Sequence, residues 1–494
     1  MGKADDYELY YETGIELEEN GQFQEALDEY RKALELNPDS PEIFHRIGDM
    51  YSRLGITEKA VIAYRQSLHL SPSNADVHND LGTALGDLGD FEDAIQEFRA
   101  AILMDPDYGE AYYNLAVALM DLGRLDEAVE QFRAAIRFGV EDEVIYAELG
   151  TALYLLGRHD EAVSAFCEAL AFSPEDADLH NDLGNALSGL GRHEEAAAQY
   201  REAIRLNPDE AGFHSNLGSS LADLGRCDEA IEAYEEALRI DPTYPRVRHN
   251  LAITLTDLGR LEEAEAEVRE AIRLDPDYWQ AYSQLGAILL DMERFGEAVQ
   301  AFHDALRLEP DDAIAHYNLG LAYERMGRQE DAIAEQREAV RLKPDDAEYH
   351  WGLAQILRRV GRLDEAIEEY REAIRLKPDY SFAHSDLGHA LQMKGLLDEA
   401  IEEITEAIRL DPDDPVACAY LGEALAAKGD VEGAIASFRE SLRLNPDDAD
   451  VHLDLGILLK QIGRTDEARA ELHAAAQSSD PDTADLARRE LDSA

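Results

Sequence analysis

The sequence predicts an all-α protein built as a continuous stack of helical hairpins, and three regularities predict it. Prolines 38, 72, 106, 174, 208, 242, 276, 310, 344, 378, 412 and 446 lie on one 34-residue lattice, which only Val140 leaves empty. In a 34-residue unit that starts at Tyr7, the twentieth residue is Ala in all fourteen copies, from Ala26 to Ala468. The fifteenth is Gly in every copy but one, where Glu293 stands. A period of this length over the whole chain marks a repeat architecture, in which each unit buries its apolar face against its neighbours.

Within a unit the elements follow from spacing. Leu81, Leu85 and Leu88 fall on one helical face and Gly89 ends that helix. Phe91, Ala94, Ile95, Phe98, Ala101 and Ile102 give a second amphipathic helix, which Pro106 cannot continue. The small residues Gly82 and Ala94 fall where the paired helices approach most closely. The division predicted is an N-terminal extension (1–6), fourteen tandem units (7–480) and a capping helix (481–494) whose apolar side is Leu486, Ala487 and Leu491.

The order Gly82, Ala94, Phe98, Ala101, Pro106 resembles the tetratricopeptide repeat (TPR), and the resemblance covers nearly the whole chain. It implies a right-handed superhelical α-solenoid of antiparallel helix hairpins, with first helices lining a concave groove. Departures are few. Unit 4 ends in Phe138-Gly139-Val140, where a kink is expected. Val268, Gln336, Ile404 and Leu472 replace the aromatic residue of the second helix, and the polar Gln336 is expected to be accommodated locally.

Composition narrows the function. With 45 Lys and Arg against 106 Asp and Glu, the formal charge is 45 − 106 = −61, which disfavours a phosphate-binding face and hence nucleic acid. Cys167, Cys227 and Cys418 are too far apart for a CxxC motif, and no apolar run is long enough to span a membrane. A cytoplasmic protein without membrane insertion is expected. Phosphate-loop, dinucleotide, nucleophile-elbow and zincin motifs are absent from the sequence, and the repeat uses almost every residue, so no enzyme and no cofactor are expected. Seven histidines occupy the fourth position of their units (78, 180, 214, 316, 350, 384 and 452). Two helix layers separate equivalent positions, too far for one shared metal, so no metal site is expected.

The resemblance implies that positions 2, 5, 6, 9, 12 and 13 line the groove. The family's basic clamp for a C-terminal carboxylate is missing, since position 5 carries no Lys or Arg. Asn114, Asn216, Asn250 and Asn318 at position 6 form part of an Asn ladder for an extended peptide backbone. Position 13 reads Asp87, Asp121, Asp223, Asp257 and Asp291, then reverses to Arg325 and Arg359. There Tyr317, Trp351 and Phe382 join Arg358, a mixture of the residue types that anchor interfaces. Tyr113, Met120 and Tyr154 form a lesser cluster. The reading is a non-catalytic scaffold or adaptor that binds segments of other proteins, basic ones along the acidic stretch. The alternatives are a self-associating structural solenoid and the recruiting subunit of a multi-chain enzyme.

Overall fold

A computed structural model describes residues 3–492, along which run twenty-nine helices and no strand. They fold as antiparallel hairpins stacked in sequence order, an α-solenoid, in two compact units that end at Thr254 and begin at Leu255. The third repeat shows the pattern. Asn74 caps the helix Ala75–Asp87 by accepting from the amides of Asp76 and Val77. Gly89 then turns left-handed at φ 81°, with Asp90 N donating to Leu85 O at 2.9 Å and Gly89 N to Gly86 O at 2.8 Å. These two bonds satisfy carbonyls that the helix end would leave open. The second helix, Phe91–Met104, returns along the first and stops before Pro106.

The hairpin closes on one contact. A methyl group added to Gly82 would lie 2.6 Å from Phe98 Cε1, and the same slot recurs as Gly14 on Tyr30, Gly48 on Tyr64, Gly150 on Phe166 and Gly286 on Phe302. The missing side chain at these glycines leaves the ring room against the facing backbone. All fourteen invariant alanines are wholly buried, so the second helix meets its neighbours through its smallest face. Opposite Gly320 the ring is missing, and buried Gln336 fills the slot, its Nε2 donating to Tyr317 O at 3.2 Å.

Unit 4 replaces its proline stop with a left-handed Gly139 at φ 93°, and Phe138 stacks on Tyr112 at 5.2 Å. Asp142 then caps the next helix through Ile145 N. The helix Pro481–Asp492 lays Ala487 and Leu491 on Leu472, Ala475 and Ala476.

In many of the repeats the fourth-position side chain fastens the hairpin to the turn before it. In His78, His316, His350 and His384, Nδ1 lies 2.6–2.7 Å from a glutamate of the second helix (Glu97, Glu335, Glu369 and Glu403). Nε2 lies 3.1 Å from the carbonyl of the preceding lattice proline. Tyr112 and Arg248 reach the same carbonyl, on Pro106 and Pro242. Both partners of each imidazole are acceptors, so only the doubly protonated ring satisfies both. In His78, His350 and His384 the bond to the glutamate holds the pKa above its usual 6.5, against the opposing effect of burial. For His316 burial is the largest influence and pulls downward, but Glu335 and the Pro310 carbonyl together outweigh it.

Two outcomes follow from these contacts. Gly82→Val should destabilise the chain by about 1–3 kcal/mol through overpacking, and Gly82→Ala by the lower end, since alanine stands at that position in Ala116 and Ala354; chemical denaturation reads both. A raised histidine pKa adds stability that is complete below pH 6.5 and disappears as pH rises through the folded value. The melting temperature should therefore fall between pH 6 and pH 8. Tyrosine at these four positions, which keeps the bond to the proline carbonyl, should flatten that slope.

Candidate functional site: the exposed face of the first helices

The residues predicted to line the groove do not form one patch. Trp351 and Phe382 sit in a recess of about 980 Å³ at the N-terminal ends of their helices, with Tyr380, Lys343, Lys377, Asp346 and Glu348 around it. The three rings pack at 5.7–6.4 Å between centroids, Tyr380 and Phe382 nearly perpendicular. Phe382 is 54% exposed, an unusual position for a phenyl ring that its neighbours already orient. Lys377 Nζ lies 4.8 Å from the Tyr380 ring centroid. Burial, with the charge of Glu348 next in weight, pushes the Tyr380 hydroxyl up to about 12.

Arg325 and Arg359 line a second recess, of about 780 Å³, at the opposite ends of the helices with Asp291, Glu293, Glu324, Leu321 and Gln355. Both arginines are exposed, and Arg359 pairs with Glu324. Arg358 points elsewhere. It is half-buried and donates to Asp386 and the Tyr370 hydroxyl, with His389 Nδ1 at 3.0 Å. Tyr317 stacks on Tyr349 at 5.1 Å.

The position-6 residues reach back to the preceding repeat. Asn114 Nδ2 donates to Asn79 Oδ1 at 2.9 Å, and Asn216 to Asn181 at 2.8 Å and Asn185 at 3.3 Å. Asn250 donates to Ser219 at 3.4 Å. Asp386 accepts from Trp351 Nε1 at 2.9 Å and Gln355 Nε2 at 3.1 Å. Positions 5 and 9 of one unit thus converge on position 6 of the next, 35 and 31 residues on, in an inter-repeat clasp. Asn114, Asn216 and Asn250 of the Asn ladder donate their amide Nδ2 in this clasp. Asn318 is half-buried.

Among the acidic residues, Asp87 and Asp121 are exposed and line a recess of about 300 Å³ with Tyr113 and Asn114. Asp223 shares another with Tyr154, Asn185 and Asn216, its carboxylate 3.4 Å from His193 Nδ1. Asp257 and Asp291 are exposed. No helix among the described residues is long and apolar enough to cross a membrane.

Comparisons place this architecture. The family model described as "Cilia and flagella-associated protein 70 C-terminal domain", of tetratricopeptide repeat type, matches residues 8–215 and 183–393. Two further models, each described as tetratricopeptide repeat, match residues 385–449 and 425–488. The chain belongs to this family of tetratricopeptide repeat proteins. Solved structures similar to it include YrrB, described as a TPR protein with an unusual peptide-binding site (22% identity, 38% of this chain and 97% of that one, TM-score 0.37). Others are the APC/C hetero-tetramer Cut9-Hcn1 (17% identity, 92% and 98%, TM-score 0.45) and MamA (26% identity, 35% and 94%, TM-score 0.33). No curated protein matches the chain.

One backbone feature separates the Arg325 recess from the equivalent places in the other repeats of this chain. Glu293, on its rim, holds φ 58°, the only non-glycine with positive φ among the described residues. A side chain in that conformation costs about 1–2 kcal/mol, so Glu293→Gly should stabilise the chain by about 1 kcal/mol in a denaturant titration.

Proposed function

We propose that the chain is a non-catalytic protein-binding scaffold whose first-helix face captures extended segments of partner proteins. The tetratricopeptide repeat fold is in general an interaction scaffold, and the observation that carries the specific reading is the Trp351–Tyr380–Phe382 recess. Aromatic rings gathered in a partly open recess are the anchors on which binding energy concentrates. Lys343 and Lys377 flank it, two of only eight lysines in the chain. The segment that fits there carries an apolar side chain for the rings and acidic residues for the lysines. Exposed Asp87 and Asp121 favour basic segments on the earlier repeats. Three unpaired cysteines suit a reducing, cytoplasmic setting.

The test is a peptide-display selection on the full-length protein, followed by titration of a selected peptide. The chain has only two tryptophans, so Trp279→Phe leaves Trp351 as the sole indole reporter in the recess. Phe382→Ala should weaken the peptide by about 2 kcal/mol or more, roughly 30-fold. Selected peptides that bind Phe382→Ala and Trp351→Ala as tightly as the native chain would overturn the reading.

A further inference from the structure

At several junctions the clasp brings side chains of two repeats together, and at one of them the residues at all three positions can ligate a metal. In the second repeat His45 stands at position 5 and Asp49 at position 9; Asp80 stands at position 6 of the third. No other junction pairs a histidine and a carboxylate at positions 5 and 9 with a carboxylate at position 6.

His45 Nε2 lies 2.7 Å from Asp80 Oδ2 and 3.5 Å from Asp49 Oδ1, and the three donor atoms are all within 4.8 Å of one another. Ligands bonded to a tetrahedral ion at about 2.0–2.2 Å lie about 3.4 Å apart. The His45–Asp49 gap already has that width, and the His45–Asp80 gap needs to open by less than an ångström.

Surrounding groups hold the donors in place. Tyr64 donates its hydroxyl to Asp49 Oδ1 at 3.0 Å, and its ring meets the His45 imidazole edge-on at 5.8 Å. Arg46, itself 3.4 Å from Glu18, lies 3.8 Å from the other oxygen of Asp49. Outer contacts of this kind fix the orientation of a ligating carboxylate. The donors are half-buried on the face left open by repeat packing, with side chains 21%, 22% and 35% exposed, so an ion has a path in.

We propose that His45, Asp49 and Asp80 form a three-ligand site for a divalent transition-metal ion of the zinc class, set at the clasp between the second and third repeats. One imidazole nitrogen and two carboxylate oxygens form a borderline-hard donor set, suited to zinc or its neighbours and, through the nitrogen, unsuited to calcium. Two carboxylates balance the charge of the ion. Because the ligands come from the helices Pro41–Arg53 and Ala75–Asp87, the ion bridges two repeats and leaves a coordination position open to water or to a partner side chain.

The experiment is a titration of the untagged full-length protein with zinc chloride by calorimetry, and with cobalt(II) by visible absorption. Expected are one tight site per chain, cobalt d–d bands of a low-symmetry site with nitrogen and oxygen ligands, and reversal by a chelator. Asp80→Asn and Asp49→Asn should each weaken the site about tenfold or more. Asp80→Asn is a shape-conserving test, because asparagine already closes the clasp at Asn114, Asn216 and Asn250. Unchanged affinity in both variants at native helicity, or no cobalt bands in the native chain, would overturn the proposal.

Discussion

Everything else in the molecule depends on how closely the two helices of a hairpin approach. That distance is set where an aromatic ring of the second helix lies against a glycine of the first, as Phe98 does on Gly82 and Tyr64 on Gly48. Because the ring takes the place of a side chain, the two backbones draw together. The buried alanine of the second helix then offers a shallow surface to its neighbours. A chain of such hairpins needs no long-range strand pairing and no disulfide; each unit contacts mainly the next.

Packing of this kind was legible in the sequence because it repeats. The proline lattice, the left-handed glycine and the invariant alanine each mark a backbone or packing constraint that recurs from unit to unit, so one copy explains nearly all. Groove chemistry was less legible, because it depends on where long side chains point. Arg358 and Arg359 are neighbours in sequence, yet one turns inward to Asp386 and the other lines a recess. Tyr380 lies in the turn before a helix, outside the groove positions, and completes the aromatic cluster all the same. Periodicity draws attention to the fourth-position histidines, which bind their own hairpin, whereas the histidine that meets two carboxylates is the fifth-position His45.

Acidity divides in the same way. Many second-helix carboxylates pair with arginines of the same or the preceding unit, as Glu127 does with Arg124 and Arg99, so the −61 balance is the acidic surplus beyond these pairs. Such exposed pairs contribute little to stability. They leave the unpaired aspartates and the two lysine-flanked turns as the places where charge can select a partner.

The clasp makes neighbouring repeats unequal in a way their outlines conceal. Hairpins of one shape are interchangeable as building blocks, but where the clasp forms, the sixth-position residue is matched to its predecessor. Were the third unit copied in tandem, the second Asp80 would face Asn79 and Thr83 instead of His45 and Asp49. Such a duplication would preserve the stack while breaking the match at its new joint. The order of the modules therefore carries information of its own, stored in the junctions and not in any single repeat.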